Sequence, residues 1–303
     1  MKKILVICYS QSGQLSEVVK NFTLPLQNEE QVQLVIEQIE PVKPYPFPWP
    51  FLEFIDIFPE AVYLDPPPIQ PTNLNGDEDF DLIILAYQVW FLSPSLPVTA
   101  FLQSDIAARL FKDKPVVTLI ACRNMWLMAQ EQMKQLLTSL GARLVGNVAL
   151  VDEAGSIGSF LATPVWVLSG EKGPHWGGLI PRAGVSETEI FACQRFGDRI
   201  LEYFHQDKPL DKHLFDGLNP VYVDETLIAS EKIGRRSFRL WGKLFRAIGK
   251  QGTPQRRVLA VFYVLFLITL IVTVVPLVML IKKLITPLTR ERIARQKAYY
   301  GNP

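Results

Sequence analysis

The chain is poor in the residues that build covalent or metal-bound frameworks: 303 residues hold three cysteines and three histidines. Cys8, Cys122 and Cys193 are odd in number and widely spaced, with no C-x-x-C pair, which excludes a disulfide framework and suits a reducing compartment. Two nucleotide fingerprints are missing as well. No G-x-G-x-x-G and no G-K-[ST] occurs, so pyrophosphate and nucleoside-triphosphate loops of those kinds are excluded. No helix-turn-helix or zinc-finger spacing is found, so nucleic acid is not an expected partner. Met1-Lys2-Lys3 is followed by only six largely apolar residues before Ser10-Gln11-Ser12-Gly13, too few for a signal peptide. The main domain is therefore expected in the cytoplasm. Acidic residues are scarce in one region only: residues 232–303 carry 15 Lys+Arg against one Asp+Glu, while 1–231 carry 16 against 29. The two parts, at +14 and −13, have different jobs.

What the chain has in plenty is apolar residues, 49% against 20% charged, which excludes a disordered or low-complexity protein. From Val258 to Ile281 no charge interrupts the run, and only Thr269, Thr273 and Pro276 fall outside the apolar set. As a helix it would measure ~36 Å, enough for a hydrocarbon core of ~30 Å. A transmembrane helix over 258–281 is the expectation, kinked at Pro276. Nine cations precede it and six follow, which puts the amino terminus in the cytoplasm and the chain in the inner membrane as a single-pass, tail-anchored protein. Upstream, a wheel at ~100° per residue gathers Ile233, Phe238, Leu240, Trp241, Leu244, Phe245 and Ile248 opposite Lys232, Arg235, Arg236, Arg239, Lys243, Arg246 and Lys250. Such a basic amphipathic helix, placed here at 232–257, lies in a bilayer interface with its cations on anionic headgroups; an ordinary domain helix with a solvated cationic face is the competing reading.

The first 205 residues alternate strand and helix patterns. Ile4-Leu5-Val6-Ile7-Cys8 reads as a strand buried on both faces of a parallel sheet. Leu15, Val18, Val19, Phe22 and Leu26 then recur at helical spacing. Further strands are predicted at Val32 to Ile39, Asp81 to Tyr87, Pro115 to Ala121 and Leu144 to Val151. Helices are predicted at Leu96 to Leu110, Leu127 to Leu140 and Glu187 to Phe204. This order argues for an open parallel α/β sheet wound on both faces, with ligands outside the carboxyl ends of its strands.

Three strand-to-helix turns carry the chemistry. In the first, Ser10, Gln11, Ser12, Gly13, Gln14 and Leu15 put two hydroxyls, a permissive glycine and a helix amino terminus where a terminal phosphate monoester can sit. Ser12 as a plain helix cap is the competing reading. In the second, Gln88, Val89, Trp90 and Phe91 lead into Leu92-Ser93-Pro94-Ser95-Leu96-Pro97, adjacent aromatics on which a planar heterocycle can stack. In the third, Cys122, Arg123, Asn124, Met125 and Trp126 set polar groups beside an indole. His175, Trp176 and Arg182 are weak candidates for a substrate anion or proton, and Gly155-Ser156-Ile157-Gly158 reads as a turn.

These residues resemble the flavodoxin-like FMN proteins. Tyr9 to Leu15 is similar to the family's phosphate loop, T/S-x-T/S-G-x-T, with Leu15 in place of the final hydroxyl and Ser16 next to it. Gln88 to Pro97 is similar to the P-x-x-W-F-x-x-P stretch of flavin-dependent quinone reductases, with Gln88 for the first proline. The resemblance implies a flavodoxin-like doubly wound sheet over 1–205, FMN as cofactor, its phosphate on Ser10 to Gln14, and its ring bordered by the other two turns. Two insertions interrupt it, at about 41–71, with ten of the 23 prolines, and at about 155–185. With the tail, they make the chain look like the proteins labelled dialkylresorcinol condensing enzyme. The first insertion is either a lid over an apolar substrate or a rigid elaboration of the sheet edge. A linker over 206–231 and a basic tail over 282–303 complete the expected organisation.

Condensation of acyl chains requires an activated thiolate with histidine partners, and only Cys122 sits at a plausible place. Flavin chemistry fits the residues better. The first reading is an FMN-dependent oxidoreductase that aromatises a lipid-soluble alkylated cyclic diketone. The second is an NAD(P)H-dependent quinone or flavin reductase. The third is an electron-transfer flavoprotein serving a membrane partner, to which the −13 charge of residues 1–231 would dock; a pathway enzyme or a dimer mate is a separate expected partner.

Overall fold

Runs of β-branched and leucine residues without polar breaks form strands that are buried from both sides. The computed structural model traces the backbone of all 303 residues and describes the side chains of all but 156–157, 271–272 and 274–289. In chain order the elements are β1 (Lys2–Cys8), α1 (Gln14–Gln27), β2 (Val32–Gln38), α2 (Phe51–Asp56), α3 (Phe58–Tyr63), β3 (Leu82–Tyr87), β4 (Val89–Trp90), β5 (Ser93–Pro94), α4 (Leu96–Leu102) and α5 (Asp105–Leu110). There follow β6 (Pro115–Cys122), α6 (Leu127–Ser139), β7 (Arg143–Val151), α7 (Gly155–Ser169), α8 (Glu187–Ala192), α9 (Gln194–His205), α10 (Glu225–Ile248) and α11 (Pro254–Gly301).

The main sheet is wholly parallel in the order β2-β1-β3-β6-β7. Counting its strands alone, this is 2-1-3-4-5, the flavodoxin-like doubly wound order, whose switch point between β1 and β3 opens a crevice at the carboxyl edge. Alternate strand residues serve the two faces. Ile4, Val6, Ile84 and Leu119 pack under Val18, Phe22, Phe196 and Ile200 of α1 and α9. Leu5, Ile7, Ile83 and Leu85 pack under Val98, Phe101 and Met133 of α4 and α6.

Some expected boundaries shift for local reasons. The helix predicted over 96–110 breaks because the Ser104 hydroxyl accepts the Ala107 N–H at 3.1 Å and starts α5 anew. The helix predicted over 187–204 breaks at Cys193. Residues 155–158, predicted as a turn, open α7 instead. The stretch 206–231 is not a free linker: Leu210, Leu214 and Phe215 are buried against α9 and the sheet, Val221 bridges Ala149, and α10 begins at Glu225. The helix expected over 232–257 ends at Ile248 and restarts at Pro254. Between them Gly252, at φ 83°, gives its N–H to Asp56 Oδ2 at 2.6 Å.

The membrane-spanning expectation is corrected. Among the described residues no helix is long and apolar enough to cross a membrane, and the single-pass inner-membrane placement and tail anchor fall with it. The described start of the 258–281 run is covered on one side by protein, because Ala260 and Tyr263 are buried with Ile55, Phe58, Val62 and Phe245. The remainder of that run, 271–272 and 274–281 with Pro276, and 282–289 of the expected basic tail, lie outside the described residues. The end of α11 also rests on the domain. Lys297 pairs with Glu225 at 2.7 Å, the Tyr299 hydroxyl donates to Glu131 at 3.0 Å, and Tyr300 joins the main core.

Buried ion pairs fasten these helices to the first insertion. Arg256, fully buried, gives Nε to Asp56 Oδ1 at 2.6 Å and Nη1 and Nη2 to the Glu60 carboxylate at 2.7 and 2.9 Å. The insertion at 41–71 is therefore the seat of the carboxyl-terminal helices.

Candidate functional site

The crevice holds a cavity that encloses about 170 Å³ at the ends of β1, β3 and β6. Ten of the sequence-predicted residues line it: Gln11, Ser12, Gln14 and Leu15 from the first turn, Gln88, Val89, Trp90 and Phe91 from the second, and Cys122 and Arg123 from the third. Three loops distant in sequence thus meet, as the parallel strand order requires.

The first turn is open for an anion. Gly13 heads α1 in the left-handed region at φ 82°, with no side-chain cap on the helix, so Ser12 is not its cap. A Cβ on Gly13 would meet nothing within 4 Å. Among the described residues no acceptor meets the N–H groups of Gln14 and Leu15 at the positive end of the helix dipole. Ser10 plays a different part from the one expected: its hydroxyl accepts the Ser16 N–H at 3.3 Å and braces the loop from outside the cavity. Gln14 is also largely structural, its amide bonding both ways to the Val185 backbone at 3.3 and 3.4 Å. Gln88, which stands in place of a proline, accepts the Gln11 N–H at 3.3 Å and so joins the first two turns.

The second turn is an aromatic chamber under backbone tension. Phe91 and Leu92 take φ of 50° and 60°, a region costly to side chains with a Cβ and common at working sites. The Gln132 amide holds the turn through Leu92 O at 3.2 Å and Ser93 Oγ at 3.0 Å. Trp90 stands edge-on to Tyr45 at 4.9 Å and to Trp49 at 6.1 Å, while Phe91 lies 5.0 Å from Phe54.

In the third turn Asn124 and Trp126 do not reach the cavity. Trp126 is core, and its indole donates to Tyr222 O at 3.3 Å. Arg123 does reach it. Its guanidinium lies 5.1 Å from the Phe160 ring and donates to Met125 Sδ at 3.1 Å, with no carboxylate in ion-pair contact among the described residues. Burial lowers its affinity for a proton, and nearby Asp152 and Cys122 oppose that. None of the three thiols is activated. Burial pushes Cys122 well above the ordinary thiol range, Cys8 up to about 11 and Cys193 up to about 12. No activated thiolate for acyl condensation is present.

His175 and Arg182 stand outside the cavity, His175 beside Glu171 O at 3.2 Å and Arg182 paired with Glu187 at 2.8 Å. Residues of the two insertions, to which the sequence assigned no cofactor contact, complete the walls. Phe47, Trp49 and Phe54 come from the first insertion and Thr163, Trp166 and Val167 from α7. The two segments are tied by the Trp49 N–H to Val167 O at 2.8 Å and by Phe47 edge-on to Trp166 at 6.1 Å. Asp152 closes the floor by accepting the Ala154 and Gly184 N–H groups, both at 2.7 Å, and burial raises its proton affinity. Its place just after β7 was the readable sign.

No family model matches the chain, and no curated protein matches it. Several solved structures are similar to it. A flavoprotein in complex with FMN from Lactobacillus acidophilus NCFM is 18% identical, over 49% of this chain and 93% of that one, at a TM-score of 0.40. Oxidised flavodoxin 1 from Bacillus cereus is 16% identical, over 67% and 99%, at 0.35. A flavodoxin from the domain Archaea is 12% identical, over 68% and 99%, at 0.37. At such identities and scores, the strand order of the chain itself is the ground for its fold class.

Proposed function

We propose that the chain is an FMN-binding oxidoreductase acting on a lipid-soluble ring compound. One observation carries this reading: the uncapped start of α1, with Gly13 leaving open space, stands beside an aromatic chamber at the same sheet edge. The first suits a phosphate monoester and the second a flat ring system. The residue types fit FMN. Ser12 and the N–H groups of Gln14 and Leu15 would hold the phosphate, Trp90 and Phe91 would border the ring, and Arg123 would meet its polar rim. When bound, FMN supplies hydride and electron transfer. The chain's own part is to orient the ring, exclude water with Phe47 and Trp166, and keep the Asp152 carboxyl hydrogen-bonded at the floor. At about 170 Å³ the cavity is smaller than the ~300 Å³ at the low end of small-molecule sites, and it opens to solvent beside the residues 47–54.

The aromatic lining favours a planar apolar reactant, either an alkylated cyclic diketone that is aromatised or a quinone that is reduced. The quinone gains two electrons, so NAD(P)H oxidation on adding a soluble quinone supports reduction; the diketone loses two electrons and two protons, so anaerobic bleaching of the oxidised flavin band on adding the diketone without NAD(P)H supports aromatisation. The flavin reading itself is tested by the visible absorption of the purified chain and by quenching of FMN fluorescence on titration. Gly13→Val is expected to weaken FMN at least about tenfold, because a β-branched residue resists this φ and its side chain fills the cradle. A colourless chain that quenches no FMN sinks the reading.

A further inference from the structure

Two carboxyl-terminal helices turn apolar side chains outward. On α10, Phe238, Trp241 and Phe245 face Phe58 and Tyr263, whereas Leu240 is 72% exposed and Leu244 44%, with Ile233 and Ile248 exposed in line with them. The amphipathic face read from the sequence is thus divided, one part spent on the domain and the other left over. The described start of α11 repeats the division, with Ala260 and Tyr263 inside and Phe262 and Leu265 outside at 62% and 56%. Trp241 lies 5.1 Å from Phe266, so the two outer strips adjoin. Contiguous exposed apolar patches of this kind mark interaction sites.

The patch has a charged border. Arg236, Arg239 and Lys243 are exposed on the adjoining arc of α10, spaced at ~100° per residue, Lys250 is exposed just past its end, and none of the four meets a described carboxylate in an ion pair. Elsewhere on these helices, Arg246 is paired with Asp65 and Lys297 with Glu225. Residues 232–268 contain nine cations and no acid. A second copy docked by twofold symmetry would set one cationic border against the other, which argues against self-association.

We propose that this face docks on an anionic lipid bilayer, lying in the interface with its cations at the headgroups and without crossing. An apolar strip flanked by Lys and Arg is the pattern that does so. Beneath the patch, Phe58 contacts Phe91, and Phe91 with Phe54 lines the cavity, so the lipid-facing layer and the chamber wall are continuous. The proposal stands independently of whether the cavity holds FMN.

The test is flotation of the full chain with vesicles of pure phosphatidylcholine or with about one-quarter phosphatidylglycerol. Binding to the anionic vesicles is expected to exceed that to the neutral ones at least about tenfold and to weaken with added salt. Leu240→Glu with Phe262→Glu is expected to abolish it while circular dichroism and the melting temperature are kept. Lys243→Glu, which leaves the apolar patch untouched, is expected to reduce it about fivefold or more. Failure to float, equal binding to both vesicles without salt dependence, or a dimer in sedimentation that Leu240→Glu with Phe262→Glu separates while vesicles capture nothing, overturns the proposal.

Discussion

Two arginines separate the regions of this molecule. Arg256, in the carboxyl-terminal helices, meets Asp56 of α2 and Glu60 of α3 and has no exposed surface. Arg123, at the cavity, has a ring and a sulfur but no ion-paired carboxylate among the described residues. A buried cation whose donors are filled fastens one element to another, and a cation with donors to spare is there for something that arrives. The same contrast holds for helix ends. The start of α10 is capped by Asp224, whereas the start of α1 is left open at Gly13.

Arg256→Ala breaks the comparison most severely. It leaves Asp56 and Glu60 uncompensated in a buried place, and a loss of ~3–5 kcal/mol in urea denaturation is expected, with faster proteolysis between α10 and α11. An unchanged midpoint would mean that aromatic packing alone holds these helices.

Glu231→Gln comes next. This residue of α10 crosses to the other region and accepts the Met128 N–H at 3.0 Å, so it caps α6 just behind the Arg123 turn. Burial pushes its carboxyl from 4.5 up to about 8. The folded chain keeps this proton up to about pH 8, whereas the unfolded chain gives it up above 4.5, so stability falls as pH rises through that window and levels off beyond it. The glutamine variant, neutral throughout, should lose this decline and be the more stable protein above pH 8. Denaturation at both ends of the window measures it.

Arg123→Met is the mildest. It keeps an unbranched apolar side chain but removes the guanidinium that lies over Phe160, so stability should move by no more than ~1 kcal/mol, while FMN affinity drops about tenfold by fluorescence titration. An equal loss of stability would place Arg123 with Arg256 as a fastening.

The parallel sheet and the meeting of its three turns were legible because strands buried on both faces must read as unbroken apolar runs, and Ile4 to Cys8 and Leu82 to Tyr87 do. The cavity wall was half legible. Ten lining residues lie in the turns that strand order brings together, but Phe47 and Trp166 come from insertions whose position no periodicity encodes. The carboxyl-terminal helices misled for a physical reason. An apolar run has the same composition whether lipid or protein covers it, and only contacts such as Tyr263 stacked on Phe58 at 4.8 Å tell which.

Sequence alone determined the strand order's raw material, the glycine that leaves α1 uncapped and the opposite charges of the two parts, because these depend on local patterning and residue chemistry. Tertiary structure decided which side chains close the chamber, which arginine is satisfied and where the last helices rest. Those outcomes depend on contacts between residues up to 200 positions apart, as between Asp56 and Arg256, and no local pattern carries them.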